Sequence, residues 1–246
     1  MNTFIIFGAG SAIAQATAKQ ALSSYQKFIL IDQNEQRLQT VENDLTARGA
    51  TSVETITANL ADTTTHKELI KKINPGNDTA ILFAYGILSK QKNIQSTWES
   101  TYNELNINFI SVASLLTHLA THLETIKNLH NNTIAVISSV AGDRGRMSNY
   151  IYGTAKGALS LFTAGLRARL APQGIHVITV KPGFVDTPMT ADFKKGLLWA
   201  KPDTIARGIL NAIKNKKNIV YLPWFWRYVM LILSAIPESI FKKMNI

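Results

Sequence analysis

Three side chains that can exchange protons lie close together in the middle of the chain: Ser139, Tyr152 and Lys156. Tyr152 and Lys156 are four residues apart, so an α-helix would place them on the same face. A tyrosine is a poor acid at neutral pH because its pKa is about 10, but a nearby ammonium group stabilises the phenolate and lowers that pKa. With the Ser139 hydroxyl against the same substrate oxygen, the trio predicts a proton-transfer site.

The surrounding sequence predicts a strand followed by a helix. Residues 133–137 are mostly apolar and β-branched, which is typical of a buried strand, and residues 152–166 carry large apolar side chains at helical spacing. A tyrosine and a lysine four residues apart also occur on many solvated helices, so the pair alone is weak evidence. The serine at the end of the predicted strand favours the catalytic interpretation.

The N-terminal residues predict a phosphate-binding turn. A short apolar strand over residues 4–7 leads into a glycine turn and then a helix. Glycine lets the backbone approach an anion, and the start of a helix offers unpaired N–H groups. A glycine turn without a ligand is the alternative. The residues expected around a dinucleotide pyrophosphate are Gly8, Gly10, Ser11, Ala12 and Ile13.

A second predicted strand, residues 27–31, ends at Asp32. A carboxylate at this point can accept hydrogen bonds from an adenosine ribose and would repel a 2'-phosphate. The next three residues include no arginine. The sequence therefore favours NAD(H) over NADP(H), although Asp32 could also cap the helix that follows.

These patterns together resemble the short-chain dehydrogenase/reductase family. Its active site is a serine followed by Y-x-x-x-K, its glycine turn is similar to residues 8–14 with two alanines in place of glycines, and its P-G-x-x-x-T turn resembles residues 182–187. The resemblance implies a doubly wound parallel α/β sheet, a three-layer Rossmann fold, in a single domain. Residues 1–196 would form its dinucleotide-binding and catalytic part, and residues 197–246 its C-terminal helices and amphipathic tail.

The resemblance also assigns roles by position. Ser139, Tyr152, Lys156 and Asn108 would be catalytic, with Asn108 bending its helix and holding a water that links the lysine to solvent. Hydride would pass between a nicotinamide and the substrate carbon while Tyr152 exchanges a proton with the oxygen, in either direction. The resemblance also implies that Lys156 holds the cofactor ribose. The remaining residues that it places around the cofactor are Asn59, Leu60, Ala84, Tyr85, Gly86, Pro182, Gly183, Val185 and Thr187.

The chain has 246 residues, no cysteine and a formal net charge of +10. The lack of cysteine fits a reducing compartment, and the first residues do not resemble a signal peptide, so we expect a cytoplasmic protein. Residues 194–246 hold ten Lys or Arg and only two acidic residues. Because this part is also apolar and aromatic, an anionic membrane surface is a better candidate partner than a nucleic acid.

Residues 223–243 form an apolar, aromatic tail that ends in two lysines. Its two prolines enclose thirteen residues, Trp224 to Ile236, whereas a helix needs ~20 residues to span a bilayer. We therefore expect a helix that lies in the membrane interface, at the inner face of the plasma membrane. A tail that packs on a sister subunit or covers the active site is the alternative.

Two arginines between the serine and the tyrosine bear on the substrate. Arg144 and Arg146 could bind a phosphate through their forked donors, or Asp143 could pair with one of them in a structural loop. The arginines and the tail together predict a carbonyl on a lipid-linked or phosphorylated sugar. The chain resembles the branch of the family that includes the reductase of a two-component polyprenyl-phospho-pentose epimerase, which implies an oxidase partner.

Two other functions stay open at this point. One is a ketoreductase for fatty-acyl, sphingoid or steroid substrates, and the other is a dinucleotide-binding regulatory protein without turnover. The resemblance also implies a homodimer or homotetramer formed through the helices near residues 96–129 and 150–170. Three histidines, His118, His122 and His130, lack the companions of a metal site, so no metal is expected.

Overall fold

The computed structural model describes residues 2–244. Seven strands form one parallel sheet, which confirms the predicted fold class. In chain order they are β1 (Thr3–Phe7), β2 (Lys27–Asp32), β3 (Ser52–Thr57), β4 (Thr79–Phe83), β5 (Thr133–Ile137), β6 (His176–Pro182) and β7 (Ile219–Leu222).

Helices cover both faces of the sheet. In chain order they are α1 (Ala12–Ala21), α2 (Glu35–Ala47), α3 (His66–Ile73), α4 (Gln91–Ile94), α5 (Trp98–Leu105), α6 (Ser111–Glu124), α7 (Tyr150–Leu170), α8 (Pro202–Lys214), α9 (Trp226–Ala235) and α10 (Glu238–Phe241). Single turns of 3₁₀-helix cover Thr63–Thr65, Val140–Gly142, Ala171–Gln173 and Pro188–Thr190.

The central strands are apolar at consecutive positions because both of their faces are buried. In β1, Phe4 and Ile6 belong to a core shared with α1, α2 and α8. Ile5 and Phe7 point to the opposite face, into a core shared with α3, α6 and α7. The Phe7 ring stacks on the ring of Phe83 in β4, with 4.5 Å between centroids. Two cores therefore hold β1 and β4 rigidly side by side.

The strand order, β3-β2-β1-β4-β5-β6-β7, reverses direction between β1 and β4. In doubly wound sheets the carboxyl ends of the strands at such a reversal open into a crevice that binds ligands. Gly8 follows β1, and Ala84 follows β4 with its N–H donated to the carbonyl of Phe7 at 2.8 Å. The two loops predicted to bind cofactor therefore lie side by side at the reversal.

The helix predicted over residues 96–129 differs from the observed structure. It consists of α5, a π-helical turn (Asn106–Ile110) and α6, which ends at Glu124. The Nδ2 atom of Asn108 donates to the carbonyl of Glu104 at 3.0 Å. A side chain that bonds to this carbonyl competes with the regular backbone ladder, and such competition causes local bends in helices. A π-helical turn therefore lies at Asn108, where the resemblance implied a bend.

The C-terminal part is built into the fold. β7, which the sequence analysis did not predict, pairs with β6. Helix α9 then packs Trp226 and Met230 against Val140, which lies in the loop after β5. None of the helices within residues 2–244 is long and apolar enough to cross a bilayer.

Gly183→Ala is expected to destabilise the protein, because a β-carbon at Gly183 would lie 1.9 Å from Nε1 of Trp226. Overpacking of this kind costs about 1–3 kcal/mol of unfolding free energy, which urea denaturation measures. Gly196→Ala is the matched control, since a β-carbon there has no heavy atom within 4 Å. Its effect should stay within about 0.5 kcal/mol. Equal stability of the two variants would contradict the close packing of the tail.

Candidate active site

The carboxyl edge of the sheet collects nearly all of the residues predicted to bind cofactor or substrate. Each strand from β1 to β6 ends at this edge and continues into a loop that carries one or more of them. Asp32 and Pro182 are the last residues of β2 and β6, and the first predicted residues after β1, β3, β4, β5 and β6 are Gly8, Asn59, Ala84, Ser139 and Gly183.

The turn after β1 has no room for side chains. Gly8 has a φ of +82°, and a β-carbon there would lie 2.6 Å from Cβ of Tyr85. The Tyr85 hydroxyl is hydrogen-bonded to Ser111 Oγ at 3.0 Å, so the ring is fixed by packing beneath the turn. A β-carbon at Gly10 would lie 3.0 Å from the Asp32 carboxylate, which accepts the Gly10 N–H at 2.9 Å. This turn fits the close approach of a dinucleotide.

The start of α1 supplies hydrogen-bond donors. Ser11 caps the helix, and its Oγ accepts the N–H of Ala14 at 3.2 Å. The N–H groups of the first turn, which include those of Ala12 and Ile13, have no acceptor within a regular helix. They add to the positive end of the helix dipole, so the predicted cradle fits a pyrophosphate.

Asp32 does not cap α2. Asn34 does so, because its Oδ1 accepts the N–H of Arg37 at 2.9 Å, while Asp32 accepts the N–H of Asn34 at 3.1 Å. The capping alternative for Asp32 is therefore wrong. The Cδ of Arg37 lies 3.1 Å from the position of a β-carbon at Gly10. Arg37 thus borders the expected ribose position. The sequence analysis missed Arg37 because it does not directly follow Asp32, and only the first turn of α2 brings its side chain to this place.

The loop after β3 shows a weaker site. Asn59 is exposed, and its Oδ1 accepts the N–H of Ala61 at 3.1 Å. The buried Leu60 packs in the core, and its carbonyl lies 3.1 Å from Nε2 of His66. His66 is fully buried and was not predicted to bear on this loop. The packing of Leu60 and the contact of its carbonyl with His66 fix the backbone of this loop, so Asn59 can present its amide to an adenine.

The structure brings the predicted catalytic trio together. Ser139 begins the turn after β5 and accepts the N–H of Ala141 at 3.1 Å. Tyr152 and Lys156 come from the first two turns of α7, with Nζ of Lys156 at 5.7 Å from the centroid of the Tyr152 ring. The same Nζ donates to the carbonyl of Ile137 at 3.2 Å.

Close backbone contacts fix α7 against the loop that carries Ser139. The Oγ of Ser138 donates to the carbonyl of Lys156 at 2.8 Å. A β-carbon at Gly142 would lie 2.5 Å from the backbone N of Gly157. The sequence analysis did not identify Ser138, because Ser138 and Ser139 are adjacent residues of the same type. These contacts set the distance between the serine and the helix.

Burial dominates the electrostatics of the site. It raises the pKa of Tyr152 to about 12, against the lowering effects of Ser139 and Arg146. It lowers the pKa of Lys156 to about 8, and the carboxylate of Glu104 opposes that change. The sequence predicted that Lys156 would lower the pKa of Tyr152. In the structure the Ser139 hydroxyl and the charge of Arg146 lower this pKa, but burial outweighs both, and Nζ of Lys156 donates to the carbonyl of Ile137.

Asn108 lies against the catalytic lysine. Its side chain accepts the N–H of Ile87 at 3.2 Å and donates to the carbonyl of the same residue at 2.9 Å. A β-carbon at Gly86 would lie 2.5 Å from Oδ1 of Asn108 and 3.4 Å from Nζ of Lys156. Only a glycine leaves this space, so the loop after β4 brings Asn108 and Lys156 to one small volume.

The loop after β6 closes the nicotinamide side. Gly183 donates its N–H to the carbonyl of Leu222 at 3.0 Å. Val185 is buried, and its carbonyl accepts from Oγ1 of Thr190 at 2.7 Å. The same Thr190 Oγ1 accepts the N–H of Thr187 at 3.2 Å. Thr190, which sequence reasoning did not identify, therefore sets the loop that carries Val185 and Thr187.

Arg144 does not point to a substrate phosphate. Its Nη2 bonds to Glu238 at 3.0 Å, and its guanidinium lies 3.7 Å above the ring of Phe241. Its Nη1 donates to three carbonyls at the end of α9, those of Leu233, Ser234 and Ile236. The prediction of a phosphate-binding Arg144 is corrected: both terminal nitrogens are used to hold the tail.

Asp143 pairs with neither arginine, contrary to the structural alternative. It binds Lys181 at 2.5 Å and the hydroxyl of Tyr221 at 2.9 Å, which ties the loop to β6 and β7. Arg146 is half-buried, and its Nε has no hydrogen-bond partner in the part of the chain that the structure describes. A cationic group with unused donors therefore lies beside Tyr152.

A family model described as short chain dehydrogenase matches residues 2–197. The chain belongs to the short-chain dehydrogenase/reductase family. An uncharacterised oxidoreductase of Mycobacterium tuberculosis is 30% identical to it over 243 residues, which cover 98% of this chain and 96% of the relative. The protein is therefore an oxidoreductase that acts on CH–OH groups.

Solved structures of proteins with the dehydrogenase fold superpose over nearly the whole chain. A short-chain dehydrogenase of Burkholderia cenocepacia in complex with NADP gives a TM-score of 0.81 at 16% identity, covering 97% of this chain and 94% of the other. A bulky-bulky ketone specific alcohol dehydrogenase of Comamonas testosteroni gives 0.78 at 18% identity, covering 97% and 96%. At these identities the likeness concerns the fold.

Tyr152→Phe is expected to lower the turnover of this short-chain dehydrogenase by a factor of about 10²–10⁴, because the variant has no proton to give to a substrate oxygen. The measurement is the rate of NADH or NADPH oxidation with a ketone. Tyr150→Phe is the matched control: Tyr150 is exposed at the start of the same helix. A Tyr152→Phe protein as active as the Tyr150→Phe control would contradict the assigned site.

Proposed function

We propose that this protein is a nicotinamide-dependent ketoreductase for a phosphorylated or lipid-linked sugar at a membrane surface. The observation that carries the reaction type is the convergence of Ser139, Tyr152 and Lys156 beside the glycine turn at one edge of the sheet. Arg146 supports an anionic substrate, and the C-terminal tail supports attachment to a membrane surface.

Each catalytic residue has a separate role in carbonyl reduction. A nicotinamide dinucleotide, when bound along the turns after β1, β4 and β6, supplies the hydride that reaches the carbonyl carbon. Tyr152 donates its proton to the carbonyl oxygen, and the Ser139 hydroxyl donates a hydrogen bond to the same oxygen. The Lys156 ammonium stabilises the phenolate that remains until solvent returns a proton. In the opposite direction the Tyr152 phenolate accepts the proton of an alcohol.

We propose that the cofactor is NAD(H). The Asp32 carboxylate lies against Gly10, where it can accept hydrogen bonds from a ribose and would repel a 2'-phosphate. Arg37 beside it supplies the opposite charge, and the similar dehydrogenase of Burkholderia cenocepacia was solved with NADP. Of Asp32 and Arg37, only the Asp32 carboxylate has a direct hydrogen bond to the turn. On this ground we favour NAD(H).

Arg146 supports an anionic substrate. It projects from the loop between Ser139 and Tyr152, is half-buried, and has an Nε without a hydrogen-bond partner within residues 2–244. A buried donor without an acceptor is costly, and a phosphate oxygen would satisfy it. The resemblance to the reductase of the polyprenyl-phospho-pentose epimerase points to the same substrate class and to an oxidase partner that supplies the ketone. A neutral fatty-acyl, sphingoid or steroid ketone would leave Arg146 unpaired.

The tail supports a membrane surface. Trp226 and Met230 pack α9 onto the body of the protein, which leaves the opposite side of the helix in solvent. That side is apolar, with Leu231 and Ile232 each 67% exposed. The exposed apolar residues of this side are Trp224, Tyr228, Leu231 and Ile232. With Arg227, Lys242 and Lys243 nearby, the surface suits an anionic bilayer interface such as the inner face of the plasma membrane.

We also propose a homodimer or homotetramer. Helix α7 exposes Leu161, which is 77% accessible in the single chain. The resemblance to the family implies that subunits pair through this helix and the one near residues 96–129, and this resemblance is the main support for the proposal. This arrangement would leave the carboxyl edge of the sheet open to substrate.

Arg146→Gln is expected to raise the KM for a ketopentose phosphate by about 10- to 100-fold, because a charge-assisted hydrogen bond to phosphate is lost. The KM for the unphosphorylated ketopentose should change by less than about threefold, since that substrate makes no such bond. Steady-state NADH oxidation measures both values, with Arg48→Gln on the exposed end of α2 as control. Equal losses with both sugars would remove the phosphate role and favour the neutral-lipid alternative.

Replacing Leu231 and Ile232 by Glu is expected to abolish co-flotation with vesicles that contain phosphatidylglycerol. The two carboxylates would have to enter the apolar layer, which is costly. The control adds the same charge elsewhere, by Gln39→Glu and Asn43→Glu on the exposed side of α2. The substitutions are preferable to truncation, because Trp226 is part of the core. Flotation of both variants, or of neither, would contradict membrane attachment through α9.

A further inference from the structure

A buried carboxylate lies beneath the catalytic residues. Glu104, in the last turn of α5, has a relative exposure of 0%. Its Oε1 accepts from Nδ2 of Asn108 at 3.2 Å, and its own carbonyl accepts from the same nitrogen at 3.0 Å. Its Oε2 has no hydrogen-bond partner within the described residues. Carboxylates are almost never fully buried unless a partner compensates their charge, so Glu104 requires a partner.

Asn108 connects this carboxylate to the catalytic lysine. The space that a β-carbon at Gly86 would fill lies 2.5 Å from Oδ1 of Asn108 and 3.4 Å from Nζ of Lys156. The charged and titratable groups around this volume come from three elements. They are Glu104 from α5, Lys156 and Tyr152 from α7, and Arg146 from the loop before α7. Lys156 and Glu104 therefore share one buried environment, joined by an amide that both approach.

The two charges compensate each other. Burial lowers the pKa of Lys156 to about 8, and the Glu104 carboxylate raises it. In return, burial raises the pKa of Glu104, and the neighbouring Ser89, the positive charge of Lys156 and the hydrogen bond from Asn108 lower it. An ammonium without its carboxylate would lose its proton at a lower pH, because desolvation alone would act on it.

We propose that Glu104 is a positioning residue of the active site, whose carboxylate orients the Asn108 amide and keeps the Lys156 side chain in its ammonium form. The proposal rests on the reaction proposed above, in which that ammonium stabilises the Tyr152 phenolate. Glu104 acts only through Asn108 and Lys156 and does not contact the substrate. It was absent from the sequence-based site, since it lies in a different helix from both the serine and the lysine.

The pH dependence of ketone reduction tests the proposal. Rates should fall on the alkaline side as Lys156 loses its proton. In Glu104→Gln, which keeps an oxygen for Asn108 and loses the charge, this alkaline limb should move to lower pH by about one unit. The assay is kcat/KM for the unphosphorylated ketopentose between pH 6 and 10. Glu99→Gln, in the exposed first turn of the same helix, should leave the limb in place. A Glu104→Gln enzyme that is slower at every pH with an unmoved limb would overturn the proposal.

A second measurement needs neither turnover nor a Glu104→Gln protein that folds. In protein carrying carbon-13 in its Glu carboxyl groups, the Glu104 signal is the one absent from Glu104→Asp. Lys156→Met should raise the pKa of that carboxyl group, because the charge that stabilises its ionised form is gone. An identical titration in wild type and Lys156→Met would overturn the pairing. Failure of the wild type to reduce any ketone would instead count against the proposed reaction and leave this result unaffected.

Discussion

The site depends on holding an ammonium group inside the protein. Lys156 is almost completely removed from solvent, and burial alone favours its neutral form. The structure counters this cost with the carbonyl of Ile137 at the end of β5 and with the carboxylate of Glu104 in α5. The rigid contact of α7 with the Ser139 loop and the π-helical turn at Asn108 both keep the groups around the Lys156 ammonium in place. A sheet that presents six strand ends at one edge can supply such partners from separate elements.

The sequence predicted what depends on short-range patterns. The motifs that carry the family resemblance are short, and the doubly wound sheet that this resemblance implied is confirmed by the structure. The serine, tyrosine and lysine could be found because their spacing along one strand and one helix is itself the signal. Residues whose roles depend on contacts across the fold could not be found. Glu104 lies in another helix and approaches the lysine only through Asn108, and Arg144 binds a tail that begins about eighty residues later.

Charged residues were the hardest to interpret, because a sequence shows which charges are present but not which of them pair. Asp143 was weighed as the partner of an arginine, yet it binds Lys181 from β6, an element that folds back beside the loop. Arg37 was overlooked for the same reason, since it approaches Gly10 only when α2 has formed. Arg146, which the sequence linked only to a substrate phosphate or to Asp143, also lowers the pKa of Tyr152 through its charge.

Arg144 connects the loop of the active site to the end of α9. Arg144 and Arg146 belong to one short loop that begins at the catalytic serine, and the first of them is clamped to the carbonyl end of the tail helix. A displacement of α9 would move the three carbonyls that Arg144 binds, and with them the loop that carries Ser139 and Arg146. Under the proposed membrane attachment, the position of the tail and the geometry of the active site would therefore be coupled through the Arg144 side chain.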